Sequence, residues 1–216
     1  MSKWYIGSLS GEKFRSIVKK GAPRRKLSDG RTEIGIPIAS GPLYRTQNGV
    51  MYLGHSENIL KSKWFRPLTN KVNLIFTSPP FPLRKKKAYG NLNGENYINW
   101  LSNYADLFND LLTEDGSLVI ELGNTWETGM PTMSLVTHKA LLELKNRGNY
   151  HLCQEFIWNN PSSLPNPIQW VNVDRIRVKN SFSHIWWLSK TPRPKADNRK
   201  ILQDYSPSMK NLLKRK

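Results

Sequence analysis

Cysteine is almost absent from this sequence, which has one, Cys153, among 216 residues. A lone cysteine excludes an internal disulfide framework and any site in which several cysteines hold a metal. The four histidines show no metal-ligand spacing, so we expect no metal centre. Long apolar runs are also missing, and the first residues, MSKW, lack the apolar segment of a secretion signal. We therefore expect an intracellular, soluble, cytoplasmic protein with no membrane partner.

Acidic residues are scarce, since 16 Asp and Glu face 33 Lys and Arg and the formal net charge is +17. The excess lies at the two ends: residues 1–45 hold ten basic and three acidic residues, and residues 189–216 hold nine and two. Such a chain is attracted to polyphosphate, and the attraction weakens steeply with salt. Nucleic acid is the partner that these charges predict, and solvated tails are the alternative interpretation.

Eight Trp, eight Tyr and seven Phe favour a packed core, which 216 residues are enough to form. Apolar residues at three- and four-residue spacing predict a helix over 97–112, and a second helix is predicted over 134–147, closed by Gly148. A short helix at 57–60 follows Ser56 as N-cap. Strands are predicted at 50–53, 71–76, 117–122, 150–158 and 182–188. This alternation predicts an α/β fold with a parallel or mixed sheet covered on both faces.

The strand predicted at 71–76 ends in Thr77-Ser78-Pro79-Pro80-Phe81. Consecutive prolines stop a strand, because neither can donate to the ladder. Ligands of open α/β sheets bind beyond the carboxyl ends of strands, so this segment has the position of an active site. A rigid turn without a ligand is the alternative. Four cations follow it: Arg84, Lys85, Lys86 and Lys87.

The residue types in this segment suit methylation of an exocyclic amino group. The amino nitrogen of cytosine or adenine is a poor nucleophile, because its lone pair is delocalised into the ring. The Ser78 hydroxyl and the Pro79 carbonyl can accept its two N–H groups and direct the lone pair at a methyl donor. The base must first leave the duplex, and Phe81 offers a ring on which it stacks, at roughly 1–3 kcal/mol per base. The cations at 84–87 would hold flanking phosphates.

The sequence Thr-Ser-Pro-Pro-Phe resembles the signature of DNA amino-methyltransferases, and its serine is typical of enzymes acting on N(4) of cytosine. Adenine-specific relatives more often carry Asp there. Further segments are similar to the PvuII-type modification enzymes, namely 49–56, 86–92, 115–119, 158–165, 168–172, 175–179 and 186–191. The resemblance covers roughly residues 42–212. It implies a Rossmann-like methyltransferase sheet, S-adenosylmethionine as methyl donor, double-stranded DNA as substrate, a role in restriction–modification, and Ser78, Pro79, Pro80 and Phe81 as the catalytic motif.

Two departures from that family shape the expected architecture. Its motifs are permuted, with the catalytic half first, and the later cofactor loop Phe-x-Gly-x-Gly is absent from this sequence. We therefore expect a partial sheet lacking the cofactor-loop half: a basic extension at 1–44, a catalytic half at 45–190, and a basic tail at 191–216 that begins a truncated target-recognition region. Such a sheet would expose an apolar edge and face. A second polypeptide supplies the missing half, or the chain is a fragment.

The second departure is His55, which stands where the family usually has Asp in the cofactor pocket. We assign cofactor contacts to His55 and Ser78, and an ordinary surface histidine is the alternative for His55.

The remaining candidates are basic, aromatic and thiol side chains. Arg175, Arg177 and Lys179 alternate on one face of a possible strand, which predicts a DNA-contacting edge or a solvated face. Cys153 is expected to be a buried, unreactive thiol. Trp186 and Trp187 are expected in the core and at a strand edge. Two other functions stay open: a non-catalytic DNA-binding remnant, and an adenine amino-methyltransferase, against which Ser78 argues.

Overall fold

The computed structural model describes residues 24–26, 32–34, 42, 44–52, 54–82, 92 and 94–214. Its strands are β1 (Arg24–Lys26), β2 (Thr32–Ile34), β3 (Tyr44–Arg45), β4 (Val50–Met51), β5 (Val72–Thr77), β6 (Leu112–Gly123), β7 (His151–Asn159) and β8 (Phe182–Ser189). Its α-helices are α1 (Ser56–Leu60), α2 (Gly94–Ser102), α3 (Tyr104–Leu111), α4 (Val136–Gly148) and α5 (Pro207–Leu213). Short 3-10 helices lie at Arg66–Leu68 and Asn198–Ile201, and a π-helical turn at Gln169–Val173. Within the described ranges, no helix has the length and hydrophobicity needed to span a membrane.

A mixed four-stranded sheet in the order β5-β6-β8-β7 forms the centre of the fold. β5 is parallel to β6, and β8 is antiparallel to both β6 and β7. Strands β5, β6 and β7 therefore run in one direction, and their carboxyl ends lie at one edge of the sheet. The predicted mixed α/β sheet is confirmed, and β1–β2 and β3–β4 form separate antiparallel pairs.

The inner face of the sheet carries the core. Strand residues of alternate positions are buried there: Ile75, Leu118, Ile120, Leu122, Trp186 and Leu188. They pack with apolar side chains of α2, α3 and α4, among them Tyr97, Leu101, Phe108, Ala140 and Leu144. Burial of each large side chain stabilises the fold by roughly 1.5–3 kcal/mol, so this layer is the main source of stability.

The helix predicted over 97–112 is wrong as one element, because α2 and α3 are separated at Asn103. The apolar spacing continues across the break, since Tyr97, Tyr104 and Phe108 all lie in the core. Spacing reports which face is buried, and it does not report where the backbone hydrogen-bond ladder is interrupted. The Asn103 side chain accepts a hydrogen bond from Arg147 Nη1 at 2.6 Å, which ties the break to α4.

Two helix ends also differ from the prediction. His55 is the N-cap of α1, and the Ser56 hydroxyl instead lies 2.7 Å from the Tyr104 hydroxyl in a buried contact. Gly148 is the last residue of α4, and Asn149, with φ of 49°, takes the left-handed C-cap conformation. Asn tolerates that conformation because its short polar side chain bonds locally.

The expected cover on both faces of the sheet is wrong for the described residues. Leu74 and Phe76 point away from the core and are 55% and 59% exposed. The expectation of an exposed apolar face matches this observation instead. Cys153 is only partly buried, which corrects its assignment to the interior. Trp186 is 2% exposed in the core as expected, whereas Trp187 lies on the inner strand β8 and not at a sheet edge.

Candidate active site

The candidate site lies at the carboxyl edge of the sheet, directly after β5. Thr77 ends the strand and is 5% exposed, whereas Ser78 is exposed. Pro79 is buried, and Pro80 and Phe81 are partly buried. An accessible hydroxyl is therefore followed at once by two residues whose rings restrict the backbone.

Two contacts hold this segment against the end of β6. The Thr125 hydroxyl, in a residue only 7% exposed, donates to the Pro82 carbonyl at 3.1 Å. The Phe81 ring lies on Gly123 so closely that a Cβ there would be 2.6 Å from Cε2. Real Cβ contacts are never that short, so Gly123 is the residue that makes room for the ring. Sequence reasoning did not identify Gly123 and Thr125 as site residues, because only the pairing of β5 with β6 brings them next to Phe81 and Pro82.

A hydrogen-bonded cluster joins β7, β8 and the residue that follows β6. His184 Nδ1 lies 2.6 Å from Glu155 Oε1, and His184 Nε2 lies 3.1 Å from Asn124 Oδ1. Trp186 Nε1 donates to the same Glu155 oxygen at 3.0 Å. The cluster fixes Asn124, the residue after Gly123. Sequence reasoning missed it, because its members come from β7, β8 and the end of β6.

A cavity of about 760 Å³ adjoins the segment at Pro82. Its walls come from the N-terminal ends of α2 and α4 and from the chain after β6, including Glu95, Trp126, Glu127 and Lys139. Cavities of several hundred Å³ accommodate small planar ligands. Space of the size of a nucleobase therefore exists beside the segment of residues 78–82.

His55, the other assigned cofactor residue, is exposed at the start of α1. A carboxylate is present two residues further on, at Glu57, and it accepts a hydrogen bond from Trp100 Nε1 at 2.8 Å. Partial burial raises the pKa of Glu57, but hydrogen bonds from Tyr104, the backbone and Trp100, together with His55, bring the pKa below its usual value. Glu57 is therefore an anion fixed by α2 and α3, which the sequence pattern did not indicate.

The basic residues assigned to DNA fall in two places. Arg84, Lys85, Lys86 and Lys87 lie outside the described residues. Arg175, Arg177 and Lys179 lie in an irregular exposed segment, so the strand expected there is wrong. Arg177 Nε donates to the Pro131 carbonyl at 2.9 Å, and Lys179 Nζ donates to the Pro161 carbonyl at 2.7 Å. Each side chain thus forms a hydrogen bond to the backbone of a neighbouring loop, and both residues remain exposed to solvent.

The described residues do not form a complete pocket for S-adenosylmethionine. Ser78 directly follows β5, a strand that pairs on one side, with β6, in the described sheet. No glycine-rich loop of the Phe-x-Gly-x-Gly form exists in the sequence to cradle the cofactor. The residues present do not suffice for the cofactor. Within the same ranges, no group of three or more His, Cys, Asp or Glu could hold a metal.

A mixed sheet of this order, with a Ser-Pro-Pro-Phe segment at the end of its parallel edge strand, defines a Rossmann-like methyltransferase fold. The chain belongs to the family described as "DNA methylase" (N6_N4_Mtase), whose model matches residues 72–216.

Two relatives make the likeness more specific. The chain is 41% identical over 172 residues to the type II methyltransferase M.PvuII of Proteus hauseri, covering 80% of this chain and 50% of that protein. The solved structure of PvuII DNA methyltransferase (cytosine-N4-specific) is 40% identical, with a TM-score of 0.66 over 77% of this chain and 57% of that one. The chain thus spans about half the length of the relatives it matches, and the predicted partial methyltransferase fold is confirmed.

Proposed function

We propose that this protein is the catalytic and DNA-facing half of a site-specific DNA methyltransferase. It transfers a methyl group from S-adenosylmethionine to the exocyclic amino group of cytosine in double-stranded DNA. The observation that carries the proposal is the exposed Ser78 at the carboxyl edge of β5, followed by two prolines and by a Phe81 ring seated on Gly123. The 41% identity to a type II methyltransferase supports it.

The segment acts by holding a flipped cytosine. The Ser78 hydroxyl and the Pro79 carbonyl accept the two amino N–H groups, which leaves the nitrogen lone pair directed away from the ring plane. Pro80 keeps the backbone of the segment rigid. Phe81, whose ring rests on Gly123, supplies the aromatic surface on which the base stacks, at roughly 1–3 kcal/mol. The donor itself is held by a second polypeptide together with Ser78 and His55.

Two groups of basic residues bind the duplex. Arg84, Lys85, Lys86 and Lys87 directly follow the catalytic segment and contact phosphates beside the flipped nucleotide. Arg175, Arg177 and Lys179 are exposed, and they carry positive charge onto loops at the carboxyl edge. We assign 1–44 to a basic extension, 45–190 to the catalytic half and 191–216 to the start of a target-recognition region. We place the protein in the cytoplasm, in a restriction–modification context.

The exposed sheet face favours one second candidate function. A DNA-binding remnant that transfers no methyl group would have the same open face and the same basic surface. An assay of methyl transfer therefore distinguishes the methyltransferase from the remnant, whereas an assay of DNA binding does not.

The test is methyl transfer from labelled S-adenosylmethionine to duplex DNA by the chain together with a complementing half. Ser78→Ala should abolish most transfer while DNA affinity persists, because Ser78 is exposed and lies outside the core. Thr69→Ala, which removes an exposed hydroxyl before the amino end of β5, is the matched control and should leave transfer unchanged. Analysis of the product nucleosides identifies cytosine or adenine as the target. Equal transfer by Ser78→Ala would refute the role of Ser78, and no transfer by any variant would favour the remnant.

A further inference from the structure

The residues that follow β6 contact the Ser-Pro-Pro-Phe segment and the proline after it. Gly123 makes room for the Phe81 ring, and the Thr125 hydroxyl donates to the Pro82 carbonyl at 3.1 Å. Asn124 lies between these two contact residues in the chain, and its side chain bonds instead to strand β8. A displacement of Asn124 therefore moves the backbone on both sides of it, and with it both contacts to the segment.

The Asn124 amide is oriented by hydrogen bonds at both of its ends. Its Nδ2 group donates to Asn180 Oδ1 at 3.3 Å and to the Phe182 carbonyl at 3.4 Å. A backbone carbonyl can only accept, so the amide nitrogen faces Phe182 and the amide oxygen faces His184. His184 Nε2 donates to that oxygen at 3.1 Å. The hydrogen bond from His184 is thus the contact that holds the oxygen end of the amide.

The His184 ring is itself fixed by packing and by a carboxylate. The residue is 9% exposed, and its ring stacks on Trp186 with centroids 5.0 Å apart and planes 12° apart. The His138 ring packs against it edge-on, with centroids 5.1 Å apart. His184 Nδ1 lies 2.6 Å from Glu155 Oε1, an oxygen that also accepts from Trp186 Nε1. A satisfied buried network of this kind restricts its members to one arrangement, so Glu155 on β7 is connected to Asn124 through a rigid ring.

We propose that Glu155 and His184 are positioning residues for methyl transfer. They act through Asn124, which they hold where Gly123 seats the Phe81 ring. Neither side chain touches the base or the methyl donor. The inference rests on the proposed function, because the seated ring is the surface on which the flipped base stacks. A purely structural role would stabilise the pairing of β7 with β8 and leave the Phe81 ring where it is.

The first test follows the Phe81 ring in the full chain alone. Fluorine NMR is recorded with 4-fluorophenylalanine at all seven phenylalanine positions, and the signal of position 81 is assigned with Phe81→Leu. Glu155→Ala and His184→Ala should shift or broaden that signal. Glu155→Gln should leave it at its wild-type position, because the glutamine keeps an acceptor oxygen for the N–H groups now bonded to Glu155 Oε1. His151→Ala, which removes an exposed histidine from the same strand β7, is the control and should also leave it unmoved.

The second test is the methyl-transfer assay described for Ser78→Ala. We expect His184→Ala to lower kcat by about ten- to hundredfold with the KM for DNA unchanged, because the duplex still binds while the base stacks on a misplaced ring. Glu155→Gln should retain most of the wild-type kcat, and Glu155→Ala should not. Circular dichroism and the thermal midpoint establish that each variant is folded. Asn124→Ala breaks the same connection outside the core, so it replaces His184→Ala if that variant does not fold.

Three results would overturn the inference. They are an unmoved signal of position 81 in folded His184→Ala or Asn124→Ala, a Glu155→Gln variant that behaves like Glu155→Ala, and a wild-type kcat in His184→Ala. The fluorine measurement uses neither DNA nor S-adenosylmethionine, so it is independent of catalysis. A signal that moves as expected, together with no methyl transfer by the wild-type sequence, would contradict the proposed function while the positioning of Phe81 holds.

Discussion

The contact between Phe81 and Gly123 offers the sharpest test of how the proposed catalytic segment, residues 78–81, is held in place. Gly123→Ala would place a methyl carbon 2.6 Å from Cε2 and 2.7 Å from Cδ2 of the ring. Non-bonded carbons are most stable about 3.5–4.0 Å apart, so the ring must retreat by roughly 1 Å. Insertion of a methyl group into a packed site costs about 1–3 kcal/mol, and we expect Gly123→Ala to lower the free energy of unfolding by that amount.

A double-mutant cycle isolates this contact. In the Phe81→Ala background the ring is gone, so the added methyl at position 123 has space and its cost should nearly vanish. The coupling free energy between the two positions should be about 1–2 kcal/mol, within the range of residues in direct contact. The coupling free energy is measured by urea unfolding of wild type, the two single variants and the double variant, analysed with one common dependence of the unfolding free energy on urea concentration. Gly129→Ala is the control, because Gly129 has a φ of 76° and no neighbouring atoms within 4 Å, so its cost should add independently to that of Phe81→Ala. Equal costs of Gly123→Ala with and without the ring would show that Phe81 does not rest on Gly123.

Two further predictions concern charge. Neutralising Arg84, Lys85, Lys86 and Lys87 together should flatten the dependence of DNA affinity on salt, by about 0.9 in the logarithmic slope for each phosphate that is no longer neutralised; an unchanged slope would remove their assignment to phosphates. Hydrogen bonds from Arg147, the nearest at 2.6 Å, hold the pKa of Asp106 below its usual value of 3.8, so this stabilisation is present at neutral pH and is lost as pH falls through the lowered pKa. Arg147→Ala should therefore lower the thermal midpoint at pH 7, with a difference from wild type that shrinks in acid, whereas the exposed neighbour Asn146→Ala should show no such pH dependence. A difference that stays constant from pH 7 to acid would contradict the ion pair.

Local sequence patterns were sufficient for much of the fold. The end of β5 follows from two prolines that cannot join a ladder, and the buried side of α2 and α3 follows from apolar spacing. The sequence contains no Phe-x-Gly-x-Gly loop, and this absence was enough to predict a partial methyltransferase sheet. Each of these features depends on neighbours within a few residues of the chain, or on a motif that is either present or absent.

The arrangement of the site required the folded chain. Phe81 meets Gly123, and His184 meets both Glu155 and Asn124, only because strands far apart in sequence pair in one register. Residues 175–179 alternate like a strand, yet Arg177 and Lys179 bond to loop carbonyls, since no neighbouring strand is there to pair with that segment in the described sheet. The consecutive apolar residues Leu74, Ile75 and Phe76 of β5 make both faces of the strand apolar, so the sequence does not show which face is buried. Only the packing of three helices on one of them shows that Leu74 and Phe76 belong to the face left open.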